Sequence, residues 1–217
     1  MRKLLIFSFV LIILVTTTAF SQTVAGRYKI EVTDPVGDVQ TNDGKPGKDV
    51  VKVTINSDGK DLRIMAELKE NISYYLKDQM AGPVIEMHFN TDNMDATGGI
   101  AFWGKDKKGF EYQVDLVACI KYKSGGLACL GSAGSDIEGF CSSYKLYQYE
   151  QDKKMPKNIN SALESTQKDI TGKQVEITLP YSLIGIKSGS RIRISIRESD
   201  SSFDDKSYFP QVFLIIK

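Results

Sequence analysis

The chain has 217 residues, with 28 Lys and Arg against 27 Asp and Glu. That near-neutral balance excludes a strongly basic nucleic-acid binder. A single His, His88, leaves little material for a His-based metal centre or a Ser/His triad.

Arg2 and Lys3 precede an almost unbroken run of Leu, Ile, Val and Phe from Leu4 to Val15. Ala19 and Ser21 are small residues placed just before a cut at Gln22. This layout predicts a secretory signal peptide over residues 1–21 and a secreted or periplasmic chain. The apolar run is shorter than the roughly 20 residues of a comfortable membrane span. Residues 22–217 are then one domain, long enough for one sizeable core.

Strand patterns dominate that domain. Arg27 to Val32 alternates, with Tyr28, Ile30 and Val32 on one face. Val51, Val53 and Ile55, a turn at Asn56–Lys60, then Leu62, Ile64, Ala66 and Leu68 read as a hairpin. Ile85, Met87 and Phe89 form the next face; His88 points the other way from Met87, which argues against joint ligation of haem. Tyr112, Val114, Leu116, Ala118 and Ile120 line a long strand, closed by a turn at Lys123–Gly126. Val175 to Leu179, Ile192 to Ile196 and Val212 to Ile216 give the later strands. Helical signals are confined to Asn71–Gln79 and to one turn at Pro180–Gly185. The polar stretch Gln151–Lys173 reads as a long loop or a weak helix. The predicted fold is all-β, an antiparallel β-sandwich with one or two short helices.

Three pieces carry a family resemblance. The first is Asp34-Pro35-Val36-Gly37-Asp38 with Asp49-Val50-Val51. The second is Phe89-Asn90-Thr91-Asp92-Asn93-Met94-Asp95-Ala96-Thr97-Gly98-Gly99 with Gly109-Phe110-Glu111-Tyr112. The third is Val175-Glu176-Ile177-Thr178-Leu179-Pro180 with Leu183-Ile184-Gly185-Ile186. Together they resemble the DOMON-like sandwiches, which include family nine carbohydrate-binding modules and glucodextranase C-terminal-like domains. The resemblance implies an immunoglobulin-like sandwich, often with bound calcium and often with sugar recognition. Family nine modules commonly hold the sugar between two Trp; here Trp103 stands alone.

Calcium takes six to eight oxygens from carboxylates, amides and carbonyls on a tight loop. Asn90, Asp92, Asp95 and Thr97 supply such oxygens, and Gly98 and Gly99 permit the reversal. Glu111 stands where the resembled family carries an acidic residue. These five are the expected metal ligands; the alternative is a solvated turn capping its own backbone. Asp34, Asp38, Asp43 and Asp49 read as an acidic surface loop, with a second cation as the other possibility.

An exposed Trp103, flanked by Lys105 and Asp106, would offer a stacking face to a glycan; a buried Trp103 would belong to the core. Tyr147 and Tyr149, on one strand face, form a second candidate aromatic group. Arg191, Arg193 and Arg197 read as a solvated stripe with salt bridges. Cys119, Cys129 and Cys141 allow one bridge; Cys119–Cys129 across the Lys123–Gly126 turn is preferred to Cys129–Cys141. The expected function is a calcium-stabilised carbohydrate-binding-like module, not an enzyme. A structural or interaction domain without a sugar site is the alternative, and a glycoside hydrolase the last.

Overall fold

The computed structural model describes residues 24–25, 28–34, 48–77, 80–100, 108–132, 134–160, 168–199 and 209–217. The leader at 1–21, Asp38, Asp43, Trp103, Lys105 and Asp106 lie outside the described residues. Strands in the first half are β1 (Val24–Ala25), β2 (Lys29–Thr33), β3 (Val50–Ser57), β4 (Asp61–Leu68), β5 (Met80–Asn90), β6 (Gly99–Ile100) and β7 (Lys108–Phe110). Then come β8 (Tyr112–Tyr122), β9 (Leu127–Ala128), β10 (Gly131–Ser132), β11 (Ile137–Gln148) and β12 (Lys157–Asn160). The last are β13 (Lys168–Ile170), β14 (Gln174–Pro180), β15 (Arg191–Glu198) and β16 (Val212–Ile215). One short helix, α1 (Ile72–Lys77), and a 3-10 turn at Tyr181–Leu183 fall where the sequence placed them. Among the described residues no helix is long and apolar enough to cross a membrane.

Two antiparallel sheets make the sandwich. The smaller runs β1-β2-β3-β4-β14. The larger runs β12-β11-β8-β5-β15-β16, with β13 also on β11, β9 on β8 and β10 on β5. Period-two alternation sends one face of each strand inward. From the smaller sheet come Ile30, Val32, Val53, Ile55, Leu62, Ile64, Val175 and Ile177. They meet Met87, Phe89, Val114, Leu116, Ile192, Ile194 and Ile196 of the larger one. Polar ties cross between the layers. Glu198 Oε1 accepts from the Val50 N–H at 2.7 Å, buried, and Ser142 Oγ donates to the Glu176 carbonyl, joining β11 to β14.

The hairpin turn forms as its residues dictate. Asp58 Oδ1 accepts from the N–H groups of Lys60 and Asp61, each at 2.9 Å, and Gly59 takes a positive φ of 112°.

Three sequence expectations need correction. A register irregularity between Val50 and Lys52 puts Val50, not Val51, into the core. The stretch Gln151–Lys173 contains two strands, β12 and β13, both paired to β11. These are edge strands held by main-chain bonds, and with Lys157, Asn158 and Lys168 exposed they show no apolar alternation. Arg197 is not solvated but buried at 2 % exposure.

Phe89 is fully buried between the sheets. Phe89→Ala is expected to lower unfolding stability by about 3–5 kcal/mol, read by urea denaturation at unchanged m-value.

Candidate functional site

The strands that bury aliphatic side chains inward carry polar ones on their other face. Cross-strand register arranges these in rows. Arg197, Glu86, Asp115 and Lys145 are successive partners across β15, β5, β8 and β11. Ser195, His88, Gln113 and Tyr147 form the next row, continued by Asn158 on β12. His88, Asp115, Ser143, Ser195 and Arg197 are all buried on this face.

The first row is a ladder of charges. Arg197 holds Glu86 through two contacts, Nη2 to Oε1 at 2.7 Å and Nε to Oε2 at 3.2 Å. Asp115 accepts from Gln113 Nε2 at 2.7 Å and from the Tyr147 phenol. Burial, reinforced by the Glu86 charge, pushes the Asp115 carboxyl up from its ordinary 3.8 to about 7. Burial and the Asp115 charge likewise raise the Tyr147 phenol. Tyr149 reaches this layer from beyond the end of β11. Its hydroxyl meets His88 Nδ1 at 3.1 Å and donates to Gln113 Oε1 at 3.2 Å, while its ring packs on Phe110. The two tyrosines therefore share a face, as their spacing predicts, and both are committed to hydrogen bonds within the sheet.

At the end of β5 the same face runs into the loop 91–98. Glu111, between β7 and β8, reaches back into it. Glu111 Oε2 accepts from the Thr91 N–H at 2.6 Å and the Thr91 hydroxyl at 3.2 Å. Thr97 Oγ1 lies 2.8 Å from Asp92 Oδ2, 3.2 Å from Glu111 Oε1 and 3.2 Å from the Met94 carbonyl. Asn90 Nδ2 donates to that same carbonyl at 3.0 Å. Asn90 is fully buried, and its Oδ1 has no hydrogen-bond partner among the described residues. Burial pushes the Glu111 carboxyl up and the Asp92 charge adds to it, while the Thr91 and Thr97 hydrogen bonds oppose them.

Two glycines make this closure possible. Gly98 has φ +68°, and a Cβ there would run into the Phe110 carbonyl and lie 2.8 Å from Glu111 Oε1. Gly109 has φ +82°, and a Cβ there would strike the Met94 carbonyl and lie 2.8 Å from Asn90 Nδ2. A turning role for Gly98 is readable from the sequence; the close approach of Gly109 is visible only in three dimensions.

Of the five expected metal ligands, the structure brings Asn90, Asp92, Thr97 and Glu111 around one spot. Asp95 instead forms an ion pair with Arg193 Nη2, which also donates to the Lys108 carbonyl at 3.0 Å. Among the described residues no three His, Cys, Asp or Glu side chains gather as a metal-binding group. The donors here are two carboxylates completed by hydroxyl, amide and carbonyl oxygens, a mixture suited to a hard cation rather than to zinc. In the opening acidic loop, Asp49 is buried and 3.8 Å from Lys69 Nζ.

A second concavity of about 320 Å³ lies between β13 and β14, lined by Glu67, Ser142, Lys168, Asp169 and Glu176 among others. Arg63, aided by Lys168, holds the Glu176 carboxyl below its usual range. Its charges are paired at the surface, so it reads as a laced seam.

Compared with protein-family models, curated proteins and solved structures, the chain finds no match. Fold and site geometry alone define it as an antiparallel all-β sandwich with one disulfide, Cys119–Cys129.

The polar rows give a pH signature. Asp115 binds its proton more tightly folded than unfolded. Stability from this group is therefore full below about pH 4 and is lost as pH rises through about 7. Asp115→Asn is expected to flatten the stability–pH curve over that window by up to roughly 4 kcal/mol, read by urea denaturation at several pH values.

Proposed function

We propose that this chain is a secreted or periplasmic, non-catalytic binding module of the DOMON-like sandwich kind, stabilised by calcium, with a glycan or related cell-surface polymer as ligand. The observation that carries this reading is the oxygen cluster of loop 91–98. There two carboxylates share the Thr97 hydroxyl while the buried Asn90 Oδ1 is left over. A buried acceptor without a donor costs about 1–3 kcal/mol, and a cation is one group that satisfies it. Asn90, Asp92, Thr97 and Glu111 would hold the ion together with the Met94 carbonyl. Asp95 would have to leave Arg193 to join them. Bound calcium supplies charge neutralisation and loop rigidity, no more.

The apolar leader and the disulfide support an oxidising, extracytoplasmic setting. The non-catalytic reading is supported by the sheet-face carboxylates. Glu86 is committed to Arg197, and Asp115 to Gln113 and Tyr147, rather than facing each other across an open cleft as glycoside hydrolysis requires. In sequence, Trp103 falls in the segment between β6 and β7, which pair at Gly99 with Phe110 and Ile100 with Lys108. Fixing both ends of that segment reduces the ordering cost of a ligand contact by Trp103, Lys105 or Asp106.

One observation favours a structural or interaction domain with no sugar site. The outer face of the smaller sheet is laced with surface ion pairs, Lys29–Glu31, Lys52–Glu67 and Arg63–Glu176. A charged face of this kind suits docking by a protein surface.

Calcium is expected to raise Tm in proportion to the logarithm of its free concentration above Kd. Asp92→Ala should abolish most of that rise, whereas Asp95→Ala should leave it. The rise should shrink as pH falls, because Glu111 then takes up a proton. A melting curve unchanged by chelator rejects the ion. Glycan-array binding with and without calcium separates the two functional readings: a calcium-dependent Tm with no glycan bound favours the interaction domain. If a glycan binds, Trp103→Ala is expected to weaken it by about 1–3 kcal/mol, by analogy with other stacking contacts. The tryptophan emission, being from one residue, should also be open to a soluble quencher.

A further inference from the structure

Cys119, Cys129 and Cys141 occupy one buried cluster with Val117 on the polar side of the larger sheet. Cys119 is bridged to Cys129. Cys141 stands directly across the β8–β11 ladder from Cys119, and directly opposed side chains project from the same face. Opposed residues of an antiparallel pair have Cα atoms about 4.5–5.5 Å apart. That falls inside the window of about 4.4–6.8 Å that a disulfide spans. Cys119 therefore has two sulfurs within bridging reach, one on a neighbouring strand and one on a short strap.

We propose that the three cysteines form a thiol–disulfide exchange site, in which Cys141 attacks Cys119 and releases Cys129 as the thiol that can be modified. The step balances internally. The Cys141 thiol gives its proton to solvent, and the thiolate forms a bond to Cys119 Sγ. The Cys119–Cys129 bond breaks, and Cys129 leaves as a thiolate that takes a proton from solvent. The number of disulfides is unchanged, so no external oxidant enters.

The surroundings set what exchange would do. Cys129 lies between β9 and β10. β9 is paired to β8 at Ile120 and Lys121, and β10 to β5 at Ala81 and Met80. The Cys119–Cys129 bond is thus the covalent tie holding the strap 127–132 onto the sheet. Exchange replaces it with a tie between β8 and β11 and leaves Cys129 next to the exposed Leu130. Lys121, on the same face of β8 as Cys119, is paired with Asp169 at 3.0 Å. Asp169 is in turn the cross-strand partner of Cys141 on β13. Cys141 is fully buried, which limits access and makes the exchange a slow one.

The test uses the oxidised full chain, held folded at about pH 8 without added oxidant. Thiols are trapped with N-ethylmaleimide in denaturant at successive times. Trypsin with Asp-N separates the three sulfurs, because Asp136 lies between Cys129 and Cys141 whereas no Lys or Arg does. The expected result is label on Cys129, together with a Cys119–Cys141 peptide, rising to a constant fraction. Label on Cys141 alone at every time overturns the proposal. A Cys129–Cys141 peptide with Cys119 labelled overturns the assigned direction of attack. Cys141→Ser should leave only the Cys119–Cys129 bridge and no labelled thiol. Cys129→Ser should oxidise to a Cys119–Cys141 bridge; two reduced thiols in the folded variant would contradict the geometry. Mapping of the unaltered chain decides the matter if either variant fails to fold.

Discussion

A sheet face closed from water has to satisfy every polar side chain it carries, because an unpaired buried group costs about 1–3 kcal/mol. The strands β5, β8, β11 and β15 bury polar side chains on their outer face, among them His88, Asp115, Ser143, Ser195 and Arg197. Their inner face meets the demand with a mainly apolar set, in which Ser142 and Glu198 are bonded to the Glu176 carbonyl and the Val50 N–H. Their other face meets it with rows of mutually bonded polar groups: Arg197 with Glu86, Asp115 with Gln113 and Tyr147, and Tyr149 with His88. The three cysteines sit on this face as well, next to Val117. The oxygen cluster at loop 91–98 is where these rows run off the end of the sheet, and there satisfaction is incomplete at Asn90 Oδ1.

The carboxylates here meet different kinds of partner. Asp95 has a guanidinium, and Glu86 has another. Among the described residues, Asp92 and Glu111 accept from Thr hydroxyls and main-chain N–H groups rather than from a cation. Burial is what chiefly raises the Glu111 carboxyl, and the neighbouring Asp92 charge adds to it. The left-handed Gly98 and Gly109 show that the backbone accepts special conformations to bring these oxygens together.

The sandwich was legible in the sequence because its inner residues alternate without interruption, as in Leu62, Ile64, Ala66 and Leu68. β11 was seen only through its tyrosines. Its core-facing Tyr144 and Leu146 alternate with the buried Cys141 and Ser143 and the half-buried Lys145 and Tyr147, a polar face that no hydropathy pattern announces. β12 and β13 were hidden for the opposite reason, being edge strands that owe their place to main-chain pairing with β11. At the site, the loop composition singled out Asn90, Asp92, Asp95 and Thr97, and Glu111 entered through a family resemblance. The diversion of Asp95 to Arg193 was not readable, since it depends on a strand almost a hundred positions away. The charge ladder across four strands was equally invisible, because register is a property of the assembled sheet.

The order of the strands bears on how the chain reaches this state. β4 is completed by β14 and β5 by β15, so each sheet waits for a partner from the last third of the chain. Ile64 pairs with Ile177, and Met87 with Ile196. Loop-closure entropy must be met before such distant pairings return any stabilisation, which places the domain with the slow, high-contact-order folders on a millisecond-to-second scale. Until β14 and β15 arrive, β4 and β5 expose open hydrogen-bonding edges next to rows of Ile, Leu and Val. Assembly is therefore the stage at which this protein is most prone to self-association.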